Sequence, residues 1–126
     1  MTTTANKVMT TEDIAVRLNE LAQREKWFEI QDEFFADHVK SIDPPHSRYF
    51  GYAEGKASVR KKGEDFVRRI TAVHRAYTTA PIVAGNHFTV GREMDITTEG
   101  YGRIEINEIM IYEVRDGLIV SEQFIY

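Results

Sequence analysis

The 126-residue chain contains no cysteine, which excludes a disulfide framework, a thiol nucleophile and a thiolate metal site. Long apolar runs are missing as well. No stretch approaches the roughly 18 apolar residues of a membrane span, and the opening "MTTTANKVM" lacks the apolar run of a signal peptide. The expectation is a cytoplasmic protein with a disordered start at residues 1–9, one domain over residues 10–126 and no membrane contact. A positive surplus is absent too: 16 Lys and Arg against 20 Asp and Glu leave a net charge of -4, which argues against nucleic acid as a partner. The one basic cluster, "VRKKGEDFVRR", is interrupted by Glu64 and Asp65 and reads as the solvated face of a helix. The four histidines, His38, His46, His74 and His87, include no pair at the i, i+4 spacing of a helical metal site, so neither metal nor cofactor is expected.

What is present is ordinary globular material, 42% apolar and 29% charged, enough for a core with room for one pocket. Thr10 or Thr11 can cap a first helix carrying Ile14, Leu18, Leu21 and Ala22 at helical spacing. A second helix is predicted from Trp27, with Ile30, Phe34 and Phe35 on its apolar stripe, ending near Asp37 or His38 ahead of the extended "VKSIDPP". A third is predicted over 56–70, although Gly63 inside it costs about 1 kcal/mol relative to alanine. From Val73 the period becomes two, giving strands near 73–79, 86–96, 103–114 and 118–126, joined by the glycine-bearing "TTEGYG" and "RDG". Helices followed by an antiparallel meander make an α+β domain.

The alternation also fixes a register. With the hairpin centred on Gly100, Phe88 lies opposite Tyr112, Val90 opposite Met110, Ile96 opposite Ile104 and Arg92 opposite Glu108. Both apolar faces align, and the odd charge on each strand meets its opposite. A slip of one residue would set apolar against polar along the hairpin. This face is expected to line a concave interior. On the other parity, Ile109 and Ile111 are left for a partner to cover.

Three amino-terminal helices, the glycine in "AEGKASV", the meander and the closing "IYEVRDGLIVSEQFIY" resemble SnoaL-like and ketosteroid isomerase-like proteins of the nuclear transport factor 2-like superfamily. The resemblance spans nearly the whole chain from about residue 10. It implies a conical α+β barrel, with three helices packed on a strongly curved, mostly antiparallel sheet around an apolar cavity, and a homodimer formed through the outer sheet face. In ketosteroid isomerases a stretch similar to "FADHVKSIDPP" carries the general base in the aspartate before the proline, which here is Asp43. The protonated acid of their oxyanion hole, four residues before an aromatic, falls on Glu108. Their second oxyanion donor, a tyrosine on the first helix, falls near Asn19, where the chain departs from the pattern.

Moving a proton next to a carbonyl needs a base tuned toward the working pH and a donor aimed at the oxygen where charge builds. Asp43 and Glu108 are the candidate catalytic pair. Arg92, Asn19, Tyr49, His38, Trp27, Phe88, Met110 and Tyr112 are the candidate contacts to a small apolar ligand. Each has a plainer reading. An aspartate before proline initiates turns, Arg92 and Glu108 form a buried salt bridge, His38 complements a helix C-terminus, and the aromatics are core. Desolvation raises the Glu108 pKa whereas a paired Arg92 lowers it, and the sequence does not rank the two. The leading expectation is a cofactor-free isomerase- or cyclase-like enzyme. The alternative is a non-catalytic ligand-binding or dimeric accessory protein. An epoxide hydrolase comes third, because Met94 stands where those relatives carry an acid.

Overall fold

Thr10 starts the first helix through a capping box: its hydroxyl accepts from the Asp13 backbone N-H at 3.1 Å, and the Asp13 carboxylate accepts from the Thr10 N-H at 3.0 Å. The helix, α1 (Thr11–Gln23), buries Ile14, Leu18 and Leu21 at the expected spacing. In the computed structural model residues 8–126 are described; residues 1–7 of the expected disordered start lie outside them. The turn after α1 passes through Glu25 at φ 56°, a left-handed conformation that a non-glycine residue adopts at some cost.

The second helix, α2 (Trp27–Phe34), stops sooner than expected. Phe35 is already extended, with ψ 129°, and Phe35–Ile42 form strand β1. The apolar pair Phe34 and Phe35 therefore straddles a helix-to-strand junction. Burial of Val39 and Ser41 on alternate positions of β1 shows period two, so the extended path expected for "VKSIDPP" is a strand that begins at Phe35, inside the stretch expected to be helix. Pro44 and Pro45 follow the strand, lacking the N-H groups that would extend its ladder.

After the short strand β2 (Ala53–Glu54), α3 (Lys56–Arg69) runs with Gly63 in its middle. A β-carbon at Gly63 would lie 3.0 Å from the Phe28 ring, so the glycine lets α3 close on α2. The remaining strands are β3 (Ile70–Thr78), β4 (Ile82–Ala84), β5 (His87–Thr98), β6 (Gly102–Arg115) and β7 (Leu118–Ile125). Strand β4, unforeseen in the sequence, pairs with β5.

The register of β5 and β6 is the one read from the sequence, with Phe88 opposite Tyr112, Val90 opposite Met110, Arg92 opposite Glu108 and Ile96 opposite Ile104. Asp116 and Gly117, both with positive φ, turn β6 into β7. The sheet order is β2-β1-β7-β6-β5-β3. The sheet is mostly antiparallel, as expected, with one parallel pair, β1 beside β7, and one expectation is corrected: it is not closed into a barrel. The result is an α+β cone in which the helices cover the concave face. No helix among the described residues is long and apolar enough to cross a membrane.

Candidate active site

A cavity of about 410 Å³ lies between the helices and the concave side of the sheet. Its walls are mainly apolar: Trp27 and Phe28 come from α2, Phe66 and Val67 from α3, Met94 and Met110 from the sheet. Into this wall the fold inserts two polar groupings, and each is built from distant parts of the chain.

The first grouping is centred on Asp43. Strand β1 delivers Asp43 to the cavity, where its side chain is only 2% exposed. One carboxylate oxygen is bonded to the Lys62 ammonium from α3, and the other accepts from the Tyr126 hydroxyl at 2.7 Å. Lys62 also donates to the Ser41 hydroxyl at 2.9 Å, and Ser41 in turn donates to Glu122 on β7 at 2.7 Å. Ser41 and Glu122 are Cα partners across the parallel β1–β7 pair, so the sheet itself sets that contact. The Tyr126 hydroxyl sits 2.5 Å from that of Ser47, which ties the loop after β1 to the end of the chain. Burial lifts the Glu122 carboxyl from 4.5 to about 7, against the opposing pull of the Ser41 hydroxyl and the Lys62 cation. Burial likewise raises the Tyr126 phenol above its ordinary value.

The second grouping is centred on Arg92. Its backbone faces that of Glu108, but its side chain does not pair with it. The guanidinium instead binds Glu25 through Nη2 at 2.8 Å and Nη1 at 3.3 Å, donates to the Thr78 hydroxyl at 2.9 Å and lies 4.7 Å from the Trp27 ring centre. The Trp27 indole N-H donates to the same Glu25 carboxylate at 3.1 Å. The expected Arg92–Glu108 salt bridge is thus replaced by an Arg92–Glu25 one, because the turn after α1 aims a carboxylate at the guanidinium.

Glu108 is left between the two groupings. Its carboxyl joins none of the hydrogen bonds or ion pairs of the site, and burial lifts it from 4.5 to about 8 even though Arg92 pulls the other way. The structure therefore ranks the two effects: desolvation outweighs the cation. At neutral pH the group is mostly a carboxylic acid, able to donate a hydrogen bond into the cavity.

The cavity brings together five of the residues singled out in the sequence: Asp43, Glu108, Arg92, Trp27 and Met110. Five others lie elsewhere. Phe88 and Tyr112 are fully buried core, their rings stacked 5.0 Å apart, which puts them beneath the cavity wall. Asn19 is on α1, where its carboxamide oxygen accepts from Gln23 at 3.1 Å and takes no part in the lining. His38 is exposed in the middle of β1, not at a helix end. Tyr49 packs edge-on against Tyr101 in a neighbouring depression of about 180 Å³, on the far side of Phe50 and Phe66.

Sequence reasoning missed Lys62, Ser41, Glu122, Tyr126 and Glu25. Two of these had a signal. Lys62 is three residues after Val59 and four before Phe66, and so falls on the apolar face of its helix. Glu122 shares strand parity with Phe124, a cavity-wall aromatic. Glu25 had none, since its aim depends on an unusual backbone angle.

Comparison with known sequences now bears on this geometry. The profile of the SnoaL-like domain matches residues 9–126. The chain belongs to the SnoaL-like family. Among solved structures, this SnoaL-like chain is similar to a Mesorhizobium loti protein named as a SnoaL-like polyketide cyclase, with 26% identity, a TM-score of 0.86, and coverage of 94% of this chain and 100% of that one. Two relatives that show the fold alone are NTF2-like proteins of Burkholderia. The one from B. thailandensis has 12% identity and a TM-score of 0.77 over 94% of this chain and 91% of that one. The other, from B. pseudomallei and of unknown function, has 17% identity and a TM-score of 0.71 over 94% and 92%. Among curated proteins no sequence match is found.

Proposed function

We propose that this SnoaL-like protein is a cofactor-free isomerase- or cyclase-like enzyme that moves a proton next to the carbonyl of a small apolar compound. The observation that carries this reading is the contrast between two carboxyl groups in one cavity. Glu108 is unpartnered, its carboxyl lifted to about 8 by burial, whereas Asp43 is bonded to the Lys62 ammonium and the Tyr126 hydroxyl. Carboxyls whose surroundings set them apart in this way suit an acid and a base acting on one substrate. In the handling proposed here, Glu108 donates to the carbonyl oxygen and stabilises the developing enolate, while Asp43 takes the α-proton. Lys62 and Tyr126 fix the Asp43 carboxylate, which gives the abstracted proton back to a substrate carbon to complete the cycle. The Lys62–Ser41–Glu122 hydrogen bonds hold Lys62 in place beside it. The M. loti relative's name gives both a polyketide cyclase and a carbohydrate phosphatase, and only the first is in keeping with chemistry of this kind.

A second reading, a ligand-binding protein without turnover, is favoured by one specific observation. Both Asp43 oxygens already have partners, so an incoming α-proton would have to displace the Lys62 ammonium or the Tyr126 hydroxyl. The two readings separate in a deuterium-exchange assay. With 2-tetralone in D₂O at pH 7, the enzyme reading expects α-carbon exchange faster than in buffer of equal carboxylate concentration, with the excess lost in Glu108→Ala. Saturable binding without any excess exchange would establish the binding protein instead.

A homodimer through the outer sheet face is part of the same proposal. Ile109 and Ile125 are Cα partners on that face, each 49% exposed, and together they form an apolar stripe suited to a second copy.

A further inference from the structure

Among the described residues, the acids lining the cavity are Glu25, Asp43, Glu108 and Glu122, and the cations are Arg92 and Lys62. Each cation is bonded to an acid of its own, Arg92 to Glu25 at 2.8 Å and Lys62 to Asp43. Acids outnumber cations by four to two, so the wall carries two carboxyls in excess. Of these, Glu122 accepts from the Ser41 hydroxyl at 2.7 Å. Glu108 has no partner for either oxygen, and its carboxyl stays accessible from the cavity.

The place beside Glu108 is one that the strand register gives to a cation. Arg92 stands opposite it across β5 and β6, but the guanidinium is drawn off to Glu25, and no other cation among the described residues is bonded to Glu108. Met94 and Met110 line the same concave wall, and in this apolar neighbourhood burial lifts the Glu108 carboxyl to about 8. Asp43 and Glu122 push in the same direction, while Arg92 and Lys62 pull against it without cancelling it. A basic nitrogen brought into this site takes the Glu108 proton, the N-H bond forming as the O-H bond breaks. What remains is an ammonium against a carboxylate inside a low-dielectric wall, where their attraction is far stronger than in water. An alcohol of the same shape gains a single hydrogen bond to the acid, and a carboxylate ligand adds a like charge to a wall already in excess of acid.

We infer that the cavity binds a small lipophilic amine, its ring body against Trp27, Phe66 and the two methionines and its ammonium bonded to Glu108, in the place the register gives to Arg92. The inference goes beyond proton transfer. It rests on the ligand-binding reading of the same cavity, whose ligand class it names, and it needs no turnover. In the enzyme reading such an amine is a competitive inhibitor, because it occupies the acid.

The test is calorimetric binding to the full chain of three probes of similar shape: 2-naphthylmethylamine, 2-naphthalenemethanol and 2-naphthoate. At pH 7.5 the amine is expected to bind at least about tenfold more tightly than the alcohol, and the carboxylate more weakly than either. Because the complex needs Glu108 ionised, amine affinity rises about tenfold or more from pH 6 to pH 8, and that of the alcohol does not rise with it. In Glu108→Gln the preference for the amine collapses to about twofold or less, while the alcohol still binds. Glu108→Met, which carries no ionisable group either, must give the same collapse. A preference that survives both substitutions overturns the inference, as does an alcohol bound as tightly as the amine, an amine affinity that does not rise with pH, or no binding of the amine at all. Exchange of 2-tetralone without an amine preference removes this inference alone; an amine preference without exchange removes the enzyme reading alone.

Discussion

Arg92 and Glu108 face each other as Cα partners across β5 and β6, yet the Arg92 guanidinium is bonded to Glu25 on the turn after α1. This diversion leaves Glu108 without a cation at bonding distance. Removing the competitor should reverse it. In Glu25→Gly, which also suits the left-handed backbone at that position, Arg92 is freed to turn toward Glu108, and the Glu108 pKa is expected to fall from about 8. Side-chain carboxyl NMR titration measures the change, and a Glu108 value that stays near 8 would refute the diversion.

Glu108 and Glu122 both hold protons more tightly in the folded chain than at their ordinary 4.5. Their contribution to stability is therefore greatest below pH 4.5. It is lost as pH rises toward about 7 for Glu122 and about 8 for Glu108, because the unfolded chain releases these protons first. Glu108→Gln stays neutral throughout. Its melting temperature should exceed that of the native chain by roughly 5 °C or more at pH 8.5 and match it within about 2 °C at pH 5. Scanning calorimetry at the two pH values decides the matter, and equal offsets at both would contradict the assignment of a buried acid.

Asp43 is the member of the pair whose removal does double damage. Asp43→Asn leaves the Lys62 ammonium, 15% exposed, without its counter-charge, and a loss of about 3–5 kcal/mol in urea unfolding is expected. Adding Lys62→Met to Asp43→Asn should recover most of that loss, whereas independent effects would simply add.

Tyr126→Phe is a gentler probe of the same carboxylate. It keeps the ion pair and deletes one donor, for about 1 kcal/mol of stability. If Asp43 is the base, the exchange rate with 2-tetralone should change its pH profile while KM stays constant. A uniform loss tracking stability would instead mark Tyr126 as structural.

The outer face offers a separate check. Ile109→Lys places a charge on the exposed stripe it forms with Ile125, and should shift sedimentation from dimer to monomer while leaving the fold intact. A native chain that already sediments as a monomer would contradict the dimer proposal.

How far the sequence went follows from which periods it displays cleanly. The β5–β6 register was legible because each strand carries one charged residue among apolar ones, and a single alignment satisfies all of them. Strand β1 was not, because its inward positions include Ser41 and its start, Phe34-Phe35, fits a helical stripe equally well. With β1 unseen, the parallel β1–β7 contact was invisible, and so was the Ser41–Glu122–Lys62 chain built on it. Asp43 and Glu108, both named from the sequence, do line the cavity, but the residues bonded around them were not legible. Lys62 looked like one more charge on a basic helix, and the reach of Glu25 to Arg92 depends on tertiary geometry that no spacing encodes.

Gly63 also acts on the space beside it. Because Phe28 leans where its β-carbon would be, the separation of α2 and α3, and hence the width of the cavity they wall, is governed by one hydrogen atom. Alanine or serine there would move the aromatic wall by tenths of an ångström without touching an acid, a base or a donor. A variant differing at this single position would admit ligands of a different girth with every polar group of the cavity unchanged.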